Sequence, residues 1–176
     1  MRFWRLVLCV AALSACSQAD APTATAGEPV PLLGAYRAAS DTARQRTGDV
    51  AIERGGLVFA KGIILYTRAL NPRRGYDLTA HNGDTYAAIA VGPGELNVEL
   101  RRVSEQVLPR GVAGLCGAEA PTYAALAHEA RATSVTLMVF TGEEPPGPRA
   151  TQSRLCGAFA YVAPDGARTR QGVLLQ

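Results

Sequence analysis

From residue 32 onward the apolar residues come in short runs of roughly five to eight, each closed by Gly, Pro, Asn or Asp. That rhythm is too short for packed helices and suits strands joined by tight turns. "DVAIE" at 49–53 alternates Val50 and Ile52, and Gly55-Gly56 follows as a hairpin turn. "LVFAK" and "IILYTRAL", separated by Gly62, are rich in the branched and aromatic residues that pack on a pleated surface. "NPRRG" at 71–75 is turn chemistry. "YDLTA" and "TYAAIAV" flank "HNGD", whose Asn82-Gly83 predicts a hairpin between two strands. Residues 95–107 fit both a strand and a helical stripe, and are read as a strand to about Val103, with "LPRGVAG" irregular. "TYAALAH" and "SVTLMVF" make a second hairpin, and "GEEPPGP" at 142–148 is a loop no regular element traverses. "LCGAFAYV", a "PDG" turn and "GVLLQ" close the chain. The expectation is an all-β domain: a single antiparallel barrel or sandwich of about nine to eleven short strands.

The N-terminus has a different character. Met1 to Arg5 is short and basic, Leu6 to Leu13 is apolar, and Ser14-Ala15-Cys16 follows. These are the parts of an export leader, and the apolar run is far below the roughly twenty residues that span a bilayer. "LSAC" at 13–16 resembles the lipobox of bacterial lipoproteins, with an ordinary secretory leader cleaved nearby as the alternative. The resemblance implies residues 1–15 as signal peptide and Cys16 as a lipidated N-terminus anchored in the membrane. Ser17, where an Asp would signal retention, implies the outer membrane ahead of the inner one. Residues 16–31 then form the lipidated Cys and a flexible tether, small, polar and proline-containing. Residues 32–176 form the folded domain.

The leader sorts the four cysteines, Cys9, Cys16, Cys116 and Cys156. Cys9 departs with the leader and Cys16 carries lipid, leaving two in an oxidising compartment, which reads as one disulfide. Leu-Cys-Gly-Ala occurs at both Cys116 and Cys156, but the flanks diverge, so an internal repeat is disfavoured. A zinc site or redox pair would want closer spacing.

Of the 18 basic residues, Arg2 and Arg5 lie in the leader, so the remainder nearly balances the 15 acidic ones. Such a domain offers no electrostatic case for nucleic acid. No Gly-x-Ser-x-Gly elbow, phosphate loop or dinucleotide fingerprint occurs. His81 sits in a turn signal, and His128-Glu129 would point to opposite faces of a strand. No cofactor, metal or catalytic residue is expected. Arg73-Arg74 and Arg101-Arg102 are candidates for an anionic lipid, against solvated turns and strand ends. Glu143-Glu144-Pro145-Pro146 is a candidate recognition loop. The six tyrosines, Tyr36, Tyr66, Tyr76, Tyr86, Tyr123 and Tyr161, read mostly as strand and core residues.

Gly34-x-Tyr36 resembles the Gly-x-Trp of lipocalins, without its Trp or the family's later motifs. The expected function is a non-catalytic, envelope-anchored interaction module with an envelope protein as partner, resembling small β-barrel lipoproteins that inhibit lysozyme or chaperone assembly. The alternatives are a lipocalin-like barrel for a small apolar ligand and an enzyme with dispersed site residues.

Overall fold

A computed structural model describes residues 31–92 and 95–164. Nine strands run in chain order: β1 (Gly34–Ala38), β2 (Val50–Ile52), β3 (Gly56–Phe59), β4 (Ile64–Ala69), β5 (Arg73–Arg74), β6 (Asn97–Val107), β7 (Tyr123–His128), β8 (Ser134–Thr141) and β9 (Arg154–Val162). Two short helices interrupt them, α1 (Asp41–Arg46) and α2 (Tyr86–Ala90). Sequential antiparallel pairing takes β1 through β4, β4 joins β6, and β6 through β9 returns to β1. Eight strands thus close an up-and-down antiparallel barrel, and β5 is an extra strand on the first residues of β6. β6 is long enough to serve both: Val98 faces Arg73, while Arg101 to Val107 pair with β4.

Every barrel strand contributes to one interior cluster, including Tyr36, Ile52, Phe59, Leu65, Leu126, Leu137, Phe159 and Tyr161. A small eight-stranded barrel has an interior just wide enough for side chains or one small ligand. Here large aromatic and aliphatic side chains occupy it.

One end is closed by α1. Ser40 caps the helix by accepting from the Ala43 amide and also accepts from the Ala160 amide of β9. Ala43 is fully buried, and the Thr47 hydroxyl donates to the Ala43 carbonyl while meeting the Tyr161 hydroxyl at 2.7 Å. The β6–β7 connection lies beside α1, with Arg46 donating to the Gly114 carbonyl. Cys116 on that connection is bonded to Cys156 of β9, with Cα atoms 5.0 Å apart. Closing forty residues in this way is worth roughly 4 kcal/mol on a chain-entropy argument. The two Leu-Cys-Gly-Ala tetrapeptides are the two ends of that bridge, in different settings: Leu115 is buried in the connection and Leu155 is exposed on β9.

The other end is closed by the chain's own entry. The Leu32 amide donates to Glu99 Oε2, and the Leu32 carbonyl accepts from Arg101, whose guanidinium is ion-paired to Glu99 inside the barrel. Arg101 is 1% exposed.

A second core lies outside the barrel wall. Residues 70–92, Leu96 and the loop 142–153 fold across β6, β7 and β8, where Tyr86, Leu96, Val98, Leu100, Tyr123, Met138 and Phe140 are buried together. Coverage of both faces explains why β7 is apolar at nearly every position.

Several local expectations change. "TYAAIAV" forms α2 rather than a strand, because Thr85 caps its first turn by accepting from the Ala88 amide and alanine favours helix. "YDLTA" is not a strand either; the Asn82-Gly83 turn is present, with Asn82 at φ 60°, but only Leu78 and Thr85 bridge across it. Arg73 and Arg74 form β5 within the expected turn, and β6 runs four residues beyond Val103 to Val107. α1 carries no apolar run and is invisible to that signal. The leader, Cys16, most of the tether and "GVLLQ" lie outside the described residues.

Candidate functional site

β6 splits one of the two arginine pairs named from sequence, Arg101-Arg102. Adjacent residues of a strand face opposite sides, so Arg101 points into the barrel and Arg102 points out. Arg101 is therefore neither a solvated strand end nor a lipid contact. It is a buried structural cation: Nε donates to Glu99 Oε1 at 2.9 Å, and the remaining nitrogens donate to the carbonyls of Glu53 and Leu32.

The outward residues of the same strands form transverse rows. Arg68 of β4, Arg102 of β6, Tyr123 of β7 and Phe140 of β8 are successive partners in one row. The Arg102 guanidinium lies 5.7 Å from the Tyr123 ring centre, within cation–π range, and donates to the Tyr123 hydroxyl at 3.3 Å. That hydroxyl in turn donates to the Glu143 carbonyl at 2.7 Å.

This last bond brings in the Glu143–Pro146 loop. Gly142 begins it at φ 113°, where a Cβ would meet the Gln152 carbonyl oxygen at 2.3 Å, so the loop turns back on itself only through glycine. Its outer part is held by residues 79–86: Tyr86 donates to the Pro146 carbonyl, the Gly147 amide to the Thr79 carbonyl, and the His81 amide to the Ala150 carbonyl. Burial pushes the Tyr86 phenol well above its ordinary value, and nearby Arg73 works against that rise. The phenol therefore stays a neutral donor.

Between these parts lies a groove of about 450 Å³ lined by Ala69, Leu70, Asn71, Arg73 and Pro145. It has apolar walls and one half-buried guanidinium. The structure thus puts Arg73 and Pro145 on the groove, ties Arg102 to the Glu143–Pro146 loop through Tyr123, and excludes Arg101. Arg74 is exposed on the far side of β5, where its amide donates to the Asp77 carboxylate. Sequence reasoning passed over Arg68; only its register opposite Arg102 gives it a place here.

A second surface lies across the uncovered half of the barrel. Ala35, Ala51, Val58, Ile64 and Val107 are cross-strand neighbours in a row spanning β1, β2, β3, β4 and β6. A shallower groove of about 330 Å³ follows its β1–β3 portion.

His81 is exposed at its turn, and His128 ends β7 with Nδ1 against the Glu129 carbonyl. Among the described residues no three His, Cys, Asp or Glu side chains converge as a metal site. Comparison with known proteins brings no relative to bear on this geometry: no family model fits the chain, and neither curated sequences nor solved structures give a significant match.

Proposed function

We propose that the chain is a lipid-anchored envelope protein whose domain recognises a partner through its outer surface, with no catalytic role. The observation that carries the recognition half is the filled barrel. Tyr36, Phe59, Phe159 and Tyr161 join aliphatic side chains in one interior cluster to which all eight strands contribute. α1 and the disulfide lie over one end, and the Leu32 clamp over the other. A carrier of apolar ligands needs that space and an open mouth. The outer wall, by contrast, presents a groove, a fixed arginine row and a buttressed loop.

The anchor half rests on "LSAC" behind the basic and apolar leader. A disulfide between Cys116 and Cys156 suits a domain that works in an oxidising, extracytoplasmic compartment.

Two measurements test the halves separately. Intact mass of membrane-extracted protein should show acyl additions that vanish in Cys16→Ala; an unmodified mass ends the anchor reading. Native mass spectrometry of residues 17–176, purified gently from envelope extract, should show a stoichiometric protein companion. A bound apolar small molecule in its place would restore the carrier reading.

A further inference from the structure

Arg68 and Arg102 face each other directly on neighbouring antiparallel strands, both exposed. Like charges so placed destabilise a sheet. Three arginines elsewhere are matched with carboxylates, in Arg44–Asp41, Arg101–Glu99 and Arg154–Glu119. Among the described residues, no carboxylate ion-pairs with Arg68, Arg102 or Arg73. Arg102 is nevertheless held in place by the ring and hydroxyl of Tyr123.

The groove begins beside this pair. Ala69 and Leu70 follow Arg68 in the chain, and the Leu70 amide bonds to Leu100, two residues before Arg102. Pro145 on the opposite wall stands two residues after Glu143, whose carbonyl receives the Tyr123 hydroxyl. The acidic side chains of that loop are turned to other tasks or to solvent: Glu144 accepts from the Thr151 amide, and Glu143 is exposed. Arg73 stands in the groove itself, opposite Val98 and four residues along β6 from Arg102; its guanidinium donates to the Asn71 carbonyl at 3.4 Å and lies against the Tyr86 phenol.

We infer that Arg68 and Arg102 form an oxyanion subsite that grips a phosphate group, with any chain bearing it laid along Leu70 and Pro145. Paired guanidinium forks match the oxygens of a phosphate, which would also neutralise the repulsion between Arg68 and Arg102. The subsite gives a chemistry to the outer-surface recognition proposed above and rests on that reading. The phosphate can be free or the headgroup of a lipid, and the apolar wall is the element that tells the two apart.

The test uses residues 17–176, which contain every described element, with thermal midpoints followed against inorganic phosphate and against short-chain phosphatidylglycerol below its micelle concentration. Chloride at equal ionic strength is the control for screening. Phosphate is expected to raise the midpoint of the wild-type domain and of Arg37→Gln, which removes the same charge from the opposite outer surface. In Arg68→Gln and Arg102→Gln the affinity should fall about tenfold or more. The anion-free Arg68→Gln midpoint should match or exceed the wild type, because a like-charge neighbour has gone. Tighter binding of phosphatidylglycerol than of phosphate assigns the subsite to a lipid headgroup, and equal binding assigns it to the free anion. An equal response in all four proteins, or no response beyond chloride, overturns the subsite. A stoichiometric protein companion found alongside that result leaves outer-surface recognition standing without it.

Discussion

Arg101 directs its donors to Glu99, to the carbonyls of Glu53 and Leu32, and more weakly to the Thr67 hydroxyl at 3.4 Å. Removing the guanidinium alone leaves the Glu99 carboxylate, 15% exposed, without its counter-charge. Arg101→Leu is therefore expected to cost about 3–5 kcal/mol, whereas Arg101→Leu with Glu99→Met should recover most of that loss. Urea unfolding of both variants checks the pair; equal losses would show that packing, not charge, dominates there. Tyr161 makes the second residue-level case. Burial raises its phenol above the ordinary value of 10.0, with the bond to Thr47 acting the other way. Below pH 10.0 both folded and unfolded chains keep the proton and the full stabilisation remains. As pH rises past that value the unfolded chain loses its proton first, so stability falls. Tyr161→Phe should cost about 1 kcal/mol near neutrality through the lost hydrogen bond, and show a shallower decline in alkali. Urea midpoints across that range decide it, and a slope identical to wild type would remove Tyr161 as a source. Neither role was legible beforehand. Arg101 and Arg102 are identical neighbours in sequence, and only the side of the wall each faces separates structural cation from surface cation.

Besides the two-residue β5, the elements that escaped sequence reading are the helices, for physical reasons. α1 has six residues and a single buried side chain, Ala43, so it offers no stripe to detect. Its visible signal was Ser40 before Asp41, a cap followed by an acidic first turn. α2 begins with Tyr86 and Ala87, its two buried residues, and its alternation with small residues mimics a strand. Caps differ in consequence between the two. Thr85 bonds only the Ala88 amide, whereas Ser40 bonds Ala43 of its own helix and Ala160 of β9. Ser40→Ala should therefore cost about 2 kcal/mol, against about 1 kcal/mol for Thr85→Ala. Chemical denaturation of the two variants measures the difference; parity would mean that the Ala160 bond contributes nothing net. β6 shows a subtler limit. Leu96, Val98 and Leu100 alternate as a strand should, yet their apolar face meets the outer lobe while Glu99 and Arg101 face the barrel interior. Alternation reports that a face is covered, and not which covering it meets.

At the scale of the molecule, the architecture was more legible than its parts. Short apolar runs and turn residues pointed to one antiparallel barrel or sandwich, and the closed barrel of eight strands with a ninth outside falls within that expectation. The disulfide followed from compartment and cysteine arithmetic, and it spans Cys116 and Cys156. The candidate groove was only half legible: Arg73, Arg102 and the Glu143–Pro146 loop were named, but nothing in the sequence says that Arg73 and Pro145 share a groove or that Tyr123 joins Arg102 to the loop. Both depend on registers between β4, β6 and β7 and on two excursions that pack outside the wall. The closing seam of the barrel has a last consequence, in the order of synthesis. Arg37 and Ala38 of the first strand pair with Val162 and Tyr161 of the last. A chain emerging N-terminus first can gather its hairpins early, but it has nothing to shut the barrel against until β9 has left the ribosome or crossed a membrane. Cys156 arrives with that same strand, so the covalent bridge is a late event too. Closure of the barrel and of its covalent bridge thus both wait for the last strand.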